Sequence, residues 1–290
     1  MPLLRDMHAV LSLEVSSPGE FAVAARGWLA GALAELIPSP QESVRAGTLR
    51  VNQEHPVFGG RRVAYSGRAW SAVLGDLGGY PFGVTAELTC AGGADLLPGM
   101  ARVIVRAERD WFAPAWASFR FTARDEHLGW PRSAPLQARW AEFVKRQAES
   151  AGAVSGWMTD DLWPPETALQ RATFNTGARI PDSRTVLRGY SWVTVVAPEL
   201  TARLGGAAAM RACGAFCEVS DLPGGSLWLR ATPAINEFTG DRIREVFEAL
   251  APVLVTGPAN LQFPGEEYRI LKGADAAGYR PGPQAEPPGR

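Results

Sequence analysis

Few residues in this chain have the types and spacing that chemistry needs. The histidines are His8, His55 and His127, and none lies near another or beside a cysteine pair. The cysteines are Cys90, Cys213 and Cys217, an odd count. Cys213 and Cys217 sit four apart with no second pair to complete a zinc site. On a strand they would share one face about 13 Å apart, too far for a disulfide, and buried small residues is the reading that burial habits favour. The acid pairs Asp160-Asp161 and Glu266-Glu267 could serve as paired carboxylates, yet adjacent acids on loops are usually solvated. There is no Gly-x-Ser-x-Gly elbow, dinucleotide fingerprint or P-loop. Catalytic, cofactor-binding and metal residues are therefore all expected to be absent.

Aromatic content is the unusual feature. Ten tryptophans occur in 290 residues. Helix or strand patterning accounts for Trp28, Trp140 and Trp228. Trp111, Trp116, Trp130, Trp157 and Trp163 fall in or beside loops, where they either plug the core edges or act as interface anchors, the role Trp and Arg fill most often. The candidate partner-binding set is Trp157, Asp160, Asp161, Trp163, Arg171 and Phe174.

Composition narrows the setting. Net charge is −1 and the pI about 6.3, which leaves no broad positive field for nucleic acid. An odd cysteine count argues against a disulfide framework and for a reducing compartment. Met1 to Val10 has no long apolar h-region, and no apolar run reaches membrane-spanning length. A cytoplasmic protein with no membrane partner is expected.

The elements that would position these residues alternate between two periods. Ala9 to Val15 predicts a strand. Ser17-Pro18-Gly19-Glu20 is a capping box with Pro in the first turn, and Phe21, Ala25, Trp28, Leu29, Ala32, Leu33 and Leu36 form one helical stripe. Phe82–Thr89, Ala101–Glu108 and Trp116–Thr122 predict an antiparallel meander with one face on helices. Pro135 opens a second amphipathic helix, ended by Gly152. Tyr190–Val196 predicts a strand, and Pro198 starts a helix closed by Gly205-Gly206. Cys213–Val219 and Ser226–Ala231 predict a hairpin around Leu222-Pro223-Gly224-Gly225. Thr239 precedes a last helix through Leu250, and Phe263–Leu271 an edge strand.

The fold class expected is α+β, mainly antiparallel sheet packed with amphipathic helices. Residues 1–152 form an N-terminal α+β half and 189–272 a C-terminal one. Residues 153–188 are an irregular, aromatic-containing connection, and 273–290 a disordered tail. The repeated element order suggests two related halves in one compact unit.

Residues 188 to 254 resemble the TsiV-like type VI immunity proteins of bacteria, long grouped as a domain of unknown function. The residues carrying the resemblance are Arg188-Gly189-Tyr190-Ser191-Trp192-Val193-Thr194, Leu204-Gly205-Gly206, Pro223-Gly224-Gly225-Ser226-Leu227-Trp228-Leu229 and Gly240-Asp241. None is a catalytic signature. The resemblance implies a non-enzymatic protein without cofactor that binds and neutralises a cognate protein toxin, in that family a VRR-Nuc type nuclease. Near-neutral charge argues against DNA mimicry and for a steric plug. The alternatives are an enzyme whose pocket uses loop carboxylates with His55 or His127, and a structural subunit that self-associates through aromatic loops.

Overall fold

At the first helix, sequence dictates structure directly. Ser17 Oγ accepts the Glu20 backbone N–H at 3.2 Å, and the Glu20 carboxylate accepts the Ser16 N–H at 2.7 Å. Such a cap contributes about 1 kcal/mol. It launches α1 (Pro18–Leu36), whose buried stripe is Phe21, Ala25, Trp28, Leu29, Ala32 and Leu33. Trp28 packs on Phe119 and Phe143, with ring centroids 6.0 and 5.3 Å away. Burying each large side chain contributes about 1.5–3 kcal/mol.

The computed structural model describes residues 6–37, 44–55, 60–91, 100–125, 134–160, 167, 169–170 and 179–254. Its strands are β1 (Met7–Glu14), β2 (Val44–Asn52), β3 (Arg61–Ala64), β4 (Gly83–Ala91), β5 (Met100–Arg109), β6 (Trp116–Asp125), β7 (Ser155–Thr159), β8 (Val193–Val196), β9 (Glu218–Asp221) and β10 (Leu227–Arg230). The other helices are α2 (Gly67–Gly75), α3 (Ala134–Ala151), α4 (Pro198–Arg203), α5 (Gly206–Ala212) and α6 (Gly240–Leu250). This is the expected α+β class. No helix among the described residues is long and apolar enough to cross a membrane.

All ten strands join one sheet, in the order β3-β2-β4-β5-β6-β1-β7-β8-β10-β9. Every neighbouring pair in it is antiparallel. The meander β4-β5-β6 is where alternation predicts it. The first strand lies mid-sheet, between β6 and β7. At that joint Gly156 faces Leu11, and a Cβ on Gly156 would stand 2.4 Å from the Val10 carbonyl oxygen.

Each face of the sheet carries a core. On one face α1, α2 and α3 cover Leu11, Leu49, Ala86, Val105, Phe119, Met158, Val195 and Trp228. On the other, α4, α5 and α6 cover Val196, Leu227 and Leu229, together with Trp116 and Val154. Arg184 ties the sheet to the second helical layer. It donates to Glu14 at 2.6 Å and to Glu199 at 2.7 Å, and the hydrogen bond to Glu14 is the main cause raising its pKa.

Three expectations need correction. The stretch 153–188 is not irregular throughout, because Ser155–Thr159 is the central strand β7. It is buried on both faces, so it lacks the alternation that marks a half-exposed strand. Cys213–Cys217 is not strand either. Cys213 caps α5, Gly214 turns the chain at φ +75°, and the strand begins at Glu218. In consequence Cys213 and Cys217 are exposed rather than buried, while Cys90 is buried. The predicted edge strand 263–271 and the tail 273–290 lie outside the described residues.

The cysteines give a direct test. Burial pushes the Cys90 thiol up to about 11, and burial also raises Cys217, opposed by Arg230. The thiolate is the reactive form. Native protein at about pH 8 is expected to label first at Cys213, more slowly at Cys217, and at Cys90 only after unfolding. Mass spectrometry of alkylated peptides checks the order; early modification of Cys90 would contradict the packing.

Candidate binding surface

The turn between β5 and β6 is built from Asp110 outward. Asp110 Oδ1 accepts the backbone N–H groups of Phe112 and Ala113 at 2.9 and 2.8 Å. The Asp110 N–H donates to Trp116 O at 2.7 Å, and the Trp116 N–H to Ala113 O at 2.8 Å. Val15 N–H donates to Ala115 O at 2.7 Å, pinning the turn to the end of β1. An aspartate that folds the following backbone onto its own side chain makes such a turn stiff.

This stiff turn carries two adjacent exposed aromatics. Trp111 is 47% exposed and Phe112 79%. Trp111 rests edge-on against His55 and Phe82, at 4.7 and 5.7 Å between centroids. Arg179 stands 5.9 Å from the Phe112 ring. Beneath them the Arg109 guanidinium lies 4.0 Å over Tyr80, whose backbone is left-handed at φ 53°. Tyr80 in turn packs on Phe21 of the core at 5.5 Å. Rigid aromatics backed by arginine are the composition of protein-binding hot spots.

The sheet beside this turn has a polar face, buried at His8 and Ser118. On the face that the second core leaves, β2 to β6 present polar side chains. One register row runs Arg62, Arg50, Thr85, Arg106, Arg120 across β3, β2, β4, β5 and β6. The next row holds Thr48, Glu87, Ile104, Thr122 and then His8 of β1. His8 Nδ1 lies 3.1 Å from Thr122 Oγ1, Arg120 Nε donates to Ser118 Oγ at 3.1 Å, and Arg102 pairs with Glu87.

The sequence-predicted residues scatter against this geometry. Trp157 is 5% exposed on β7, with Arg188 5.7 Å from its ring, so it fills the sheet's second face. Trp116 is buried in the second core in the same way. Asp160 follows β7 at intermediate exposure. Asp161, Trp163, Arg171 and Phe174 lie outside the described residues, as do Trp130, His127 and the pair Glu266-Glu267. His55 is placed against Trp111. Among the described residues no group of three or more His, Cys, Asp or Glu could hold a metal ion. Phe112 was missed, because one aromatic beside a tryptophan in a loop has no periodic signal.

The residues that carry the family resemblance prove to be turn and packing positions. Gly189 sits where a Cβ would come 2.4 Å from Thr167 Oγ1. Ser191 Oγ donates to Thr159 Oγ1 at 2.9 Å, and the buried Trp192 indole donates to Thr232 O at 2.8 Å. Gly224 and Gly225 take φ +76° and +89° in the turn between β9 and β10. They specify a fold, not a chemistry.

No family model matches the chain, and no curated protein matches it. Among solved structures, the chain is similar to the Pseudomonas aeruginosa T6SS protein PA0821, at 14% identity and a TM-score of 0.55, over 96% of this chain and 83% of that one. At this identity the likeness shows that the two chains share a fold.

Proposed function

We propose that this chain is an immunity-type protein that binds a cognate protein toxin of a type VI secretion setting and blocks it sterically, making and breaking no covalent bond itself. The observation that carries this reading is the exposed pair Trp111 and Phe112 on a hydrogen-bonded turn. Scattered exposed apolar residues are ordinary, but two adjacent rings held rigidly forward form a ready anchor. The shared fold with a protein named for a type VI system supports the setting. The TsiV-like resemblance of residues 188–254 supports the role, and makes a VRR-Nuc type nuclease the first partner to try. The sequence-predicted residues Asp160, Asp161, Trp163, Arg171 and Phe174 are kept in this reading as further candidate partner contacts. The chain is read as acting in the cytoplasm.

The test is co-expression with the toxin domain encoded beside its gene. Rescue of growth together with co-purification of a stable complex is the expected result. A toxin that kills undiminished, with no complex on size exclusion, would sink the reading.

A further inference from the structure

The bend between α5 and the edge strand β9 holds both exposed cysteines, Cys213 and Cys217. Arg211, in the last turn of α5, donates from Nη2 to the Val219 carbonyl of β9 at 3.2 Å and to Asp221 Oδ2 at 3.3 Å. Run out as strand, the stretch from 211 to 219 would span about 26 Å. The chain therefore doubles back on itself, and Cys213 and Cys217 flank the bend symmetrically about Ala215. Gly214 takes φ +75° there, and a Cβ on it would meet nothing within 4 Å, so the bend has room to adjust. Cys213 Sγ rests on the Met210 carbonyl at 3.1 Å, within its own helix. The Cys217 backbone N–H donates to the Arg230 carbonyl at 2.9 Å, and the Arg230 side chain hydrogen-bonds the Cys217 sulfur. The separation of about 13 Å that a strand would impose on this spacing is removed by the bend.

We propose that Cys213 and Cys217 are a redox modification site, closed to a reversible intramolecular disulfide by a hydroperoxide. A disulfide needs Cα atoms about 4.4–6.8 Å apart, a span that a short reversal meets and an extended strand does not. Cys213 reacts first, because burial holds Cys217 more in its thiol form. The Cys213 thiolate attacks one peroxide oxygen. The S–O bond forms, the O–O bond breaks, and the departing hydroxide takes up the thiol's proton as water, leaving a sulfenic acid. Cys213 then turns about χ1, off the Met210 carbonyl. The Cys217 thiolate, favoured by the facing Arg230 guanidinium, attacks the Cys213 sulfur. The S–S bond forms, the S–O bond breaks, and hydroxide leaves as water with the proton Cys217 gave up. The two thiols lose two electrons and the peroxide gains them. In a reducing compartment such a pair rests open and bridges transiently. The bridge staples the end of α5 to the start of the edge strand, and it stands apart from the toxin-binding reading.

The test treats the reduced, full-length protein with hydrogen peroxide in small excess, blocks remaining thiols with N-ethylmaleimide and maps peptides by mass. Cleavage after Arg211 and Arg230 leaves both cysteines in one peptide, with no Lys or Arg between them. That peptide is expected to lose two hydrogens, to take up no maleimide, and to regain both thiols with dithiothreitol. Buried Cys90 should stay a free thiol in the folded protein. Cys217→Ser should stop at the Cys213 sulfenic acid, trapped by dimedone. Cys213→Ser should oxidise at Cys217 at least about tenfold more slowly than the wild type bridges. Both side chains are exposed, so both variants should melt as wild type does. Two free thiols after peroxide, sulfinic acid in place of the bridge, or a disulfide joining two chains would each overturn the proposal. Because no toxin enters this assay, its failure leaves the co-purification result standing, and the reverse holds too.

Discussion

Gly156→Ala is expected to destabilise the entire molecule by about 3 kcal/mol, at the top of the range for forcing extra atoms into a packed site. The reason is what the new methyl would meet. It would stand 2.4 Å from the Val10 carbonyl oxygen and 2.7 Å from Leu11 Cδ2. A flexible side chain could move away, but the carbonyl belongs to β1, which is held in register by β6 on its other side. Relief therefore requires β1 and β7 to part, at the joint on which the continuity of the sheet depends. For a chain of this size the melting temperature should fall by about 6–12 °C. Because the joint is shared, probes in both cores should shift together: Trp28 reports one core and Trp116 the other. Calorimetry with near-ultraviolet circular dichroism checks this. A variant as stable as wild type, or one in which only the region beyond β7 melts early, would show the joint to be less important than its geometry implies.

Trp111→Ala combined with Phe112→Ala is expected to weaken toxin binding by about 2–4 kcal/mol, which is roughly 30- to 1000-fold in Kd. The expected cost to folding is small, because Phe112 is mostly solvated and Trp111 only half covered. The Asp110 cap that shapes the turn uses backbone N–H groups and survives both changes. Loss of affinity with little change in melting temperature is thus the signature of an anchor. Titration calorimetry with the purified toxin domain provides the measurement. Equal affinity for variant and wild type would place the anchor elsewhere, with the stretch around Trp163 and Arg171 next in line.

Local grammar made much of the architecture readable. The Ser17 cap, the stripe from Phe21 to Leu33, the meander and the Pro223-Gly224-Gly225 turn are short-range signals, and each appears in the fold where it was expected, although Glu20 reaches back to the Ser16 N–H rather than to that of Ser17. The helix from Gly240 is there as well, although the Thr239 side chain makes no capping bond. What escaped was long-range. Strand β7 hides because burial on both faces erases alternation. The run Cys213–Cys217 misled because its β-compatible residues follow Gly214, whose positive φ is invisible in composition. The alternation of Arg106 and Arg120 with apolar neighbours was readable, but their mutual opposition was not. Register between strands is set by the turn that joins them, here the Asp110 turn, and a sequence does not display it.

The central position of β1 has a consequence for synthesis. Met7 pairs with Ala123, and His8 with Thr159. Strand β1 leaves the ribosome before either neighbour and must therefore wait for both. At ordinary elongation speeds, the nearer one emerges on the order of ten seconds later. Throughout that interval an apolar segment reading Met-His-Ala-Val-Leu-Ser-Leu hangs unpaired. Such a segment is a natural client for holding chaperones that act on nascent chains. Finished molecules would then lag behind translation of the message, whatever partner they bind.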